Sequence, residues 1–159
     1  MKKLFFTGFL ALSLAVLYSC GGGNSNAGTA SSGKTETTAN GNPAYDPNRG
    51  EGKFTKVDVT PGLNTAMAET GSKVYSVKCQ SCHKLTDEKL VGPGWKGVTS
   101  RHAAEWIMNF ITNTDEMLNK DPKAQAQLEI CLVRMPNQNL NDEEARAIYE
   151  FQRQNDGVK

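Results

Sequence analysis

Cys79-Gln80-Ser81-Cys82-His83 is a C-x-x-C-H run, and it occurs once in the 159 residues. Two thiols at this spacing add across the vinyl groups of a haem. The histidine one position on then lies under the iron as an axial ligand. The run predicts one covalent haem c, held by Cys79 and Cys82, with His83 on the metal. Two rival chemistries use paired cysteines. A thiol–disulfide oxidoreductase carries C-x-x-C near a βαβ pattern, and no strand-rich stretch surrounds Cys79. A structural zinc site needs about four Cys/His ligands. Outside the run only Cys20, Cys131 and His102 remain, without a second paired spacing.

The start of the chain concerns where this chemistry takes place. Lys2 and Lys3 precede an apolar run from Leu4 to Leu17, followed by Leu17-Tyr18-Ser19-Cys20. This reads as a secretory signal over residues 1–19, too short for a membrane span of about 20 residues. It resembles a bacterial lipobox, with Leu17 at the first position, Ser19 before the cleavage point and Cys20 as the lipidated residue. Covalent haem attachment in bacteria takes place outside the cytoplasmic membrane, so export and the haem motif agree. Three acyl chains, at about 0.8 kcal/mol per buried methylene, hold a protein firmly to a membrane. The expectation is a lipid-anchored protein facing the periplasm. Losing the signal leaves 16 basic against 17 acidic side chains. Such a balance offers no basic field for nucleic acid.

The elements that must position the motif follow a long polar stretch. Residues 20–42 are rich in Gly, Ser, Thr, Ala and Asn and read as a flexible tether, because they bury too little to offset ordering entropy. Residues 43–63, with Tyr45, Phe54, Val57 and Val59 among turn residues, read equally as linker or as an ordered strap on the domain. Helical signals fill residues 64–156. Asn64 is positioned to cap a helix running to about Lys78. Ser100 is positioned to cap another, with Ala103, Trp106, Ile107, Phe110 and Ile111 on one face. Asp121-Pro122 is a cap followed by proline, opening a helix that carries Ala124, Leu128 and Cys131. Met135-Pro136 breaks regular structure. Asn141 with Glu144 forms a capping-box pattern before a last helix with Ala145, Ile148 and Phe151 inward. The expected fold is all-α, four to five short helices around one covalent haem. Its 90–100 residues make a small core, so the haem-free domain is expected to be largely unfolded.

Over about residues 64–154 the chain resembles a class I, monohaem cytochrome c domain. Gly71-x-x-x-Tyr75-x-x-x-Cys79 is similar to that family's approach to the haem. There, a glycine lets the first and last helices cross closely, and Phe151 falls where the family has its last-helix aromatic. Val91-Gly92-Pro93-Gly94-Trp95 resembles the family's Gly-Pro loop. The resemblance implies that the Pro93 carbonyl steadies His83; Trp95, where the family more often has leucine, reads as packing on the haem edge, as reaching a haem propionate with its indole N–H, or as a loop anchor. Met67, Met108, Met117, Met135 and His102 are the candidates for the sixth ligand. The resemblance implies Met135, with Met117 its main competitor in a connecting stretch, Met108 packed in a helix and His102 facing solvent. Cys131 reads as a small buried hydrophobe, or alternatively as a redox-sensitive or dimer-forming thiol.

The function implied is electron transfer without catalysis. A quinol-side cytochrome complex would be the donor and a terminal oxidase or reductase the acceptor, with the protein monomeric. Lys73, Lys78, Lys84 and Lys96 flank the motif, as a basic rim for an acidic partner or as ordinary surface lysines. The alternatives are a haem-based ligand sensor with a labile sixth ligand, a peroxidase-type haem protein, and a dedicated electron-entry subunit of one reductase. A peroxidase usually needs a second haem or distal acid–base groups. One haem motif and one spare histidine argue against it.

Overall fold

The computed structural model describes residues 45–159. Six helices form there: α1 Thr65–Lys78, α2 Val98–Arg101, α3 Ala104–Thr112, α4 Thr114–Lys120, α5 Pro122–Cys131 and α6 Asp142–Asn155. No strand forms among the described residues, and a single bridge pairs His83 with Lys89. The lipobox, Cys20 and the tether lie outside the described residues.

Three helix starts have the caps that sequence indicates. Asn64 accepts the Met67 N–H at 3.0 Å, and Asp121 accepts that of Ala124 at 2.8 Å, ahead of Pro122. Asn141 and Glu144 exchange side-chain and backbone hydrogen bonds as a capping box, removing two unpaired donors at once. The Ser100 region differs from expectation. Ser100 lies inside the four-residue α2, and an extended backbone at His102 separates α2 from α3. Asp156, at the end of α6, accepts hydrogen bonds from the N–H groups of Gly97 and Thr99 at 2.6 and 2.9 Å. A carboxylate distant in sequence thus caps this turn, which local pattern does not reveal. The connecting stretch expected around Met117 is helical as well, forming α4.

Helices α1 and α6 form the central crossing, made possible by Gly71. A Cβ there would overlap the Ala147 carbonyl oxygen and come within 2.8 Å of Phe151 Cβ. Removing one side chain at the crossing lets the backbones meet. Tyr75 and Phe151 then pack with ring centroids 5.4 Å apart. Beside the crossing, Glu150 is wholly buried. It takes hydrogen bonds from Arg146 and Arg153, both at 2.6 Å, and from the Asn64 N–H at 2.8 Å. Burial alone would push its carboxyl up. The Arg146 and Asn64 hydrogen bonds and the two guanidinium charges outweigh burial and hold it below the ordinary carboxylate range.

Residues 45–63 pack on the helices as a strap. Tyr45 is buried and donates its hydroxyl to Asp121 at 2.5 Å. The buried Asn109 amide accepts the Phe54 N–H and donates to the carbonyls of Arg49 and Phe54, all at 2.9 Å. Glu105 takes the Val57 N–H at 2.7 Å. Arg153 donates to the carbonyls of Thr60 and Pro61. The Leu63 N–H reaches the Lys159 carbonyl at 3.1 Å. The strap contributes few apolar side chains. Polar side chains of α3 and α6 hold its backbone instead, satisfying groups that burial would otherwise leave costly.

Candidate haem site

The C-x-x-C-H run begins where α1 ends. Cys79 is the C-cap of α1, with its N–H on the Tyr75 carbonyl. The N–H groups of Cys82 and His83 both turn back to the Cys79 carbonyl at 3.0 Å. This tight turn brings both thiols and the imidazole to one end of the helix. Cys79 is buried, and burial pushes its thiol up to about 11, with Lys78 pulling it down and Cys82 adding to the rise. A thiol so reluctant to ionise is unsuited to disulfide exchange, which needs the thiolate.

His83 is held from three sides. Its Nδ1 lies 2.9 Å from the Pro93 carbonyl oxygen. A carbonyl only accepts, so Nδ1 carries the hydrogen, and Nε2 keeps its lone pair for a metal. Burial lowers the ring's proton affinity, against a smaller opposing pull from the Pro93 carbonyl. The imidazole therefore stays neutral, as a ligand must. The Tyr75 hydroxyl donates to the His83 carbonyl at 2.7 Å, fixing the backbone beneath the ring. Trp95 closes the third side, with its ring centroid 5.7 Å from His83 and 4.9 Å from Tyr75. Tyr75, Trp95, Pro93 and His83 are thus in one place, with Gly71 and Phe151 one helix turn further along the α1–α6 crossing.

Gly92 belongs with them. A Cβ on it would overlap His83 Cε1 and come within 2.8 Å of both ring nitrogens. Sequence places it in the Gly-Pro loop but assigns it no role of its own, because its contact with His83 arises only when the loop folds back. The N–H groups of Val91 and Gly92 both reach the Cys82 carbonyl, at 3.2 and 2.9 Å. The loop therefore folds directly over the imidazole.

Above this floor lies an apolar cavity with about 1020 Å³ of atom-free space, its open mouth included. Cys82, His83, Pro93 and Trp95 line one side, and Ile107, Leu128 and Met135 line others. Met135 is half-buried on the irregular segment between α5 and α6. The other methionines of the described residues do not line the cavity. Met117 is fully buried, and its sulfur accepts the Glu51 N–H at 3.0 Å. Met108 is in the core, and Met67 is exposed on α1. Cys131 is half-buried in the cavity wall rather than in the core. His102 is also in the wall, half-buried and stacked on Trp106 at 4.0 Å between centroids, rather than fully exposed. The Cys82 thiol, a neutral imidazole and one thioether around an apolar space, with the Cys79 thiol at the adjoining end of α1, are a donor set that fits a covalent haem.

The lysines beside the motif are partly neutralised. Lys78 pairs with Glu144 and Lys84 with Glu88, while Lys73 and Lys96 form no ion pair among the described residues. This dilutes the positive rim that sequence suggests.

Residues 68–155, more than half of the chain, match the family described as Cytochrome c. Among solved structures, cytochrome c from Rhodothermus marinus is similar, with 30% identity and a TM-score of 0.64. The match covers 66% of this chain and 90% of that one. An engineered cytochrome c from the same organism is similar at 30% identity and a TM-score of 0.63, over the same shares. No curated protein matches the chain. No helix among the described residues is long and apolar enough to cross a membrane. With its all-helical fold and its C-x-x-C-H turn under an apolar cavity, the chain belongs to the cytochrome c family, whose members bind covalent haem c and carry electrons.

Proposed function

We propose that the protein carries single electrons through a six-coordinate haem c, with His83 and Met135 as the axial pair. The observation that carries this reading is the cavity. It joins an imidazole fixed by the Pro93 carbonyl to the Met135 side chain, while Met67, Met108 and Met117 lie elsewhere. When bound, haem c supplies a one-electron ferric/ferrous couple. Cys79 and Cys82 anchor the group, and His83 presents Nε2 in a fixed orientation. Met135 contributes a thioether, a ligand that raises the potential relative to a second histidine. Trp95, Ile107 and Leu128 keep water from the ligand side of the cavity. With His83 and Met135 both holding the iron, the bound group would have no open position for a substrate.

The reading extends to location and partners. Cys20 is the lipid attachment point, and the domain works outside the cytoplasmic membrane, facing the periplasm. Its donor is a quinol-side cytochrome complex and its acceptor a terminal oxidase or reductase. The lipobox residues and the export needed for haem attachment support this placement.

The ferric protein is expected to show the weak thioether–iron charge-transfer band. Met135→Ala is expected to abolish it and to open the reduced protein to carbon monoxide. A band that survives in Met135→Ala overturns the assignment. Rapid, tight carbon monoxide binding by the unaltered protein would favour a ligand sensor instead.

A further inference from the structure

The cavity wall is mostly apolar, but two of its buried polar atoms have no partner. They are Nδ1 of His102 and Oε1 of Gln152. Gln152 is 3% exposed. Leaving a buried polar group unpaired is costly, so two in one cavity point to a polar occupant. Arg101, next to His102, lines the same cavity and is held by the carbonyls of Lys96 and Gly94 at 2.6 and 3.3 Å. Arg134 also lines the cavity, but its guanidinium turns to Asp115 and Asn119. Haem c carries two carboxylates as well as its apolar ring, and these are the groups that a guanidinium, an imidazole N–H and an amide recognise. Oxygen and nitrogen of the Gln152 amide exchange by a half-turn, so the side chain can donate.

We propose that Arg101, His102 and Gln152 receive a haem carboxylate, and that His102 takes up one proton when one electron enters the domain. With Nδ1–H donated to the carboxylate, Nε2 is the atom that binds the proton. The electron comes from the protein that reduces the domain and the proton from solvent, and both leave on oxidation. Reduction adds one negative charge to a cavity of low dielectric, where charges interact strongly. That charge favours the imidazolium.

The surrounding groups set the starting point. Burial, Lys123 and Arg101 hold the ring's pKa down, against Asp121, to about 4 without the carboxylate. Trp106, stacked on the ring, donates its indole N–H to Asp121 at 3.1 Å, and Tyr45 donates to the same oxygen. Lys123 is drawn to the Pro47 carbonyl at 2.7 Å. Asp121 is thus largely committed to neutral donors. A haem carboxylate beside the ring supplies the counter-charge that this shell lacks.

The inference rests on haem filling the cavity and not on which side chain faces His83, which the Met135→Ala band reports separately. The test is the midpoint potential of the haem-loaded protein against pH, with His102→Gln alongside. The wild-type potential is expected to fall as pH rises, between the ring's pKa values in the two redox states. The limiting slope is the 59 mV that a tenfold change represents for one electron. The His102→Gln potential is expected to be flat across that window. Nuclear magnetic resonance titration of the His102 ring in ferrous and ferric wild-type protein is expected to give a higher pKa in the ferrous form. Equal ring pKa values in the two states, or a slope that persists in His102→Gln, overturn the proposal. If the variant does not fold, the wild-type ring titration decides alone.

Discussion

Glu150 shows how a single buried charge can govern this domain's response to acid. Its carboxyl sits below the ordinary range in the folded protein, so the unfolded chain binds a proton more readily. Stability that Glu150 contributes is complete above the unfolded carboxylate value of about 4.3. It is lost as pH falls through that value toward the folded one. Denaturant titrations from neutral pH into acid should therefore show stability declining on that limb. Glu150→Gln should lower stability at neutral pH by roughly 3 kcal/mol, because two guanidinium groups lose their counter-charge. Its decline in acid should also be shallower than that of the wild type. If the two curves run parallel, Glu150 is not responsible for the acid limb. His83 is the contrasting case: burial keeps it neutral for a metal rather than charged for a partner, and the Pro93 carbonyl fixes which nitrogen carries the hydrogen.

At the scale of elements, the α1–α6 crossing depends on the missing side chain of Gly71. Alanine is the better helix former by about 1 kcal/mol, so an open site would gain from Gly71→Ala. Here the added carbon would meet the Ala147 backbone and not a flexible tip. Overpacking of this kind costs about 1–3 kcal/mol. The net expectation is a lower unfolding midpoint, and an unchanged or raised midpoint would show that the helices part without penalty. This crossing was legible only through the family resemblance of Gly71 and Phe151, whereas the caps at Asn64, Asp121 and Asn141 were legible directly, because each is a local pattern of three or four residues. The break at His102 and the helix around Met117 were not. The first depends on Asp156, far along the chain, and the second on burial against the strap. The site divides in the same way. The motif, Pro93 and Trp95 stand in one short run of sequence. His102 and Gln152 reach the cavity only through packing of α2, α3 and α6, so nothing local marks them.

At the scale of the whole molecule, the core surrounds its cofactor site instead of filling it. Trp95, Ile107, Met108, Ile111 and Leu118 belong to one buried cluster with Tyr75, Ile148 and Phe151, and several of these side chains also face the cavity. Apolar surface left in water costs about 25 cal/mol per Å², and a domain this small has little reserve. A Cys79→Ser/Cys82→Ser variant prepared without haem is expected to lose most of its helical circular dichroism signal. Retention of the full native signal would show that the helices pack without the haem.

The strap also fixes the length of any line between domain and anchor. Because residues 45–63 are bound to the helices by Asn109, Glu105 and Arg153, they cannot pay out as spacer. If Cys20 carries the lipid, the covalent path to the domain ends at Tyr45 and not at Asn64. Fully stretched, at most about 3.6 Å per residue, that path reaches about 90 Å instead of roughly 160 Å. Tyr45 is seated beside Asp121 and Trp106, on the side of the domain where His102 stacks. Such a line would be made fast on that side of the domain. With the lipid on Cys20, a partner's docking surface would have to lie within that radius of the membrane and approach a domain moored by this side.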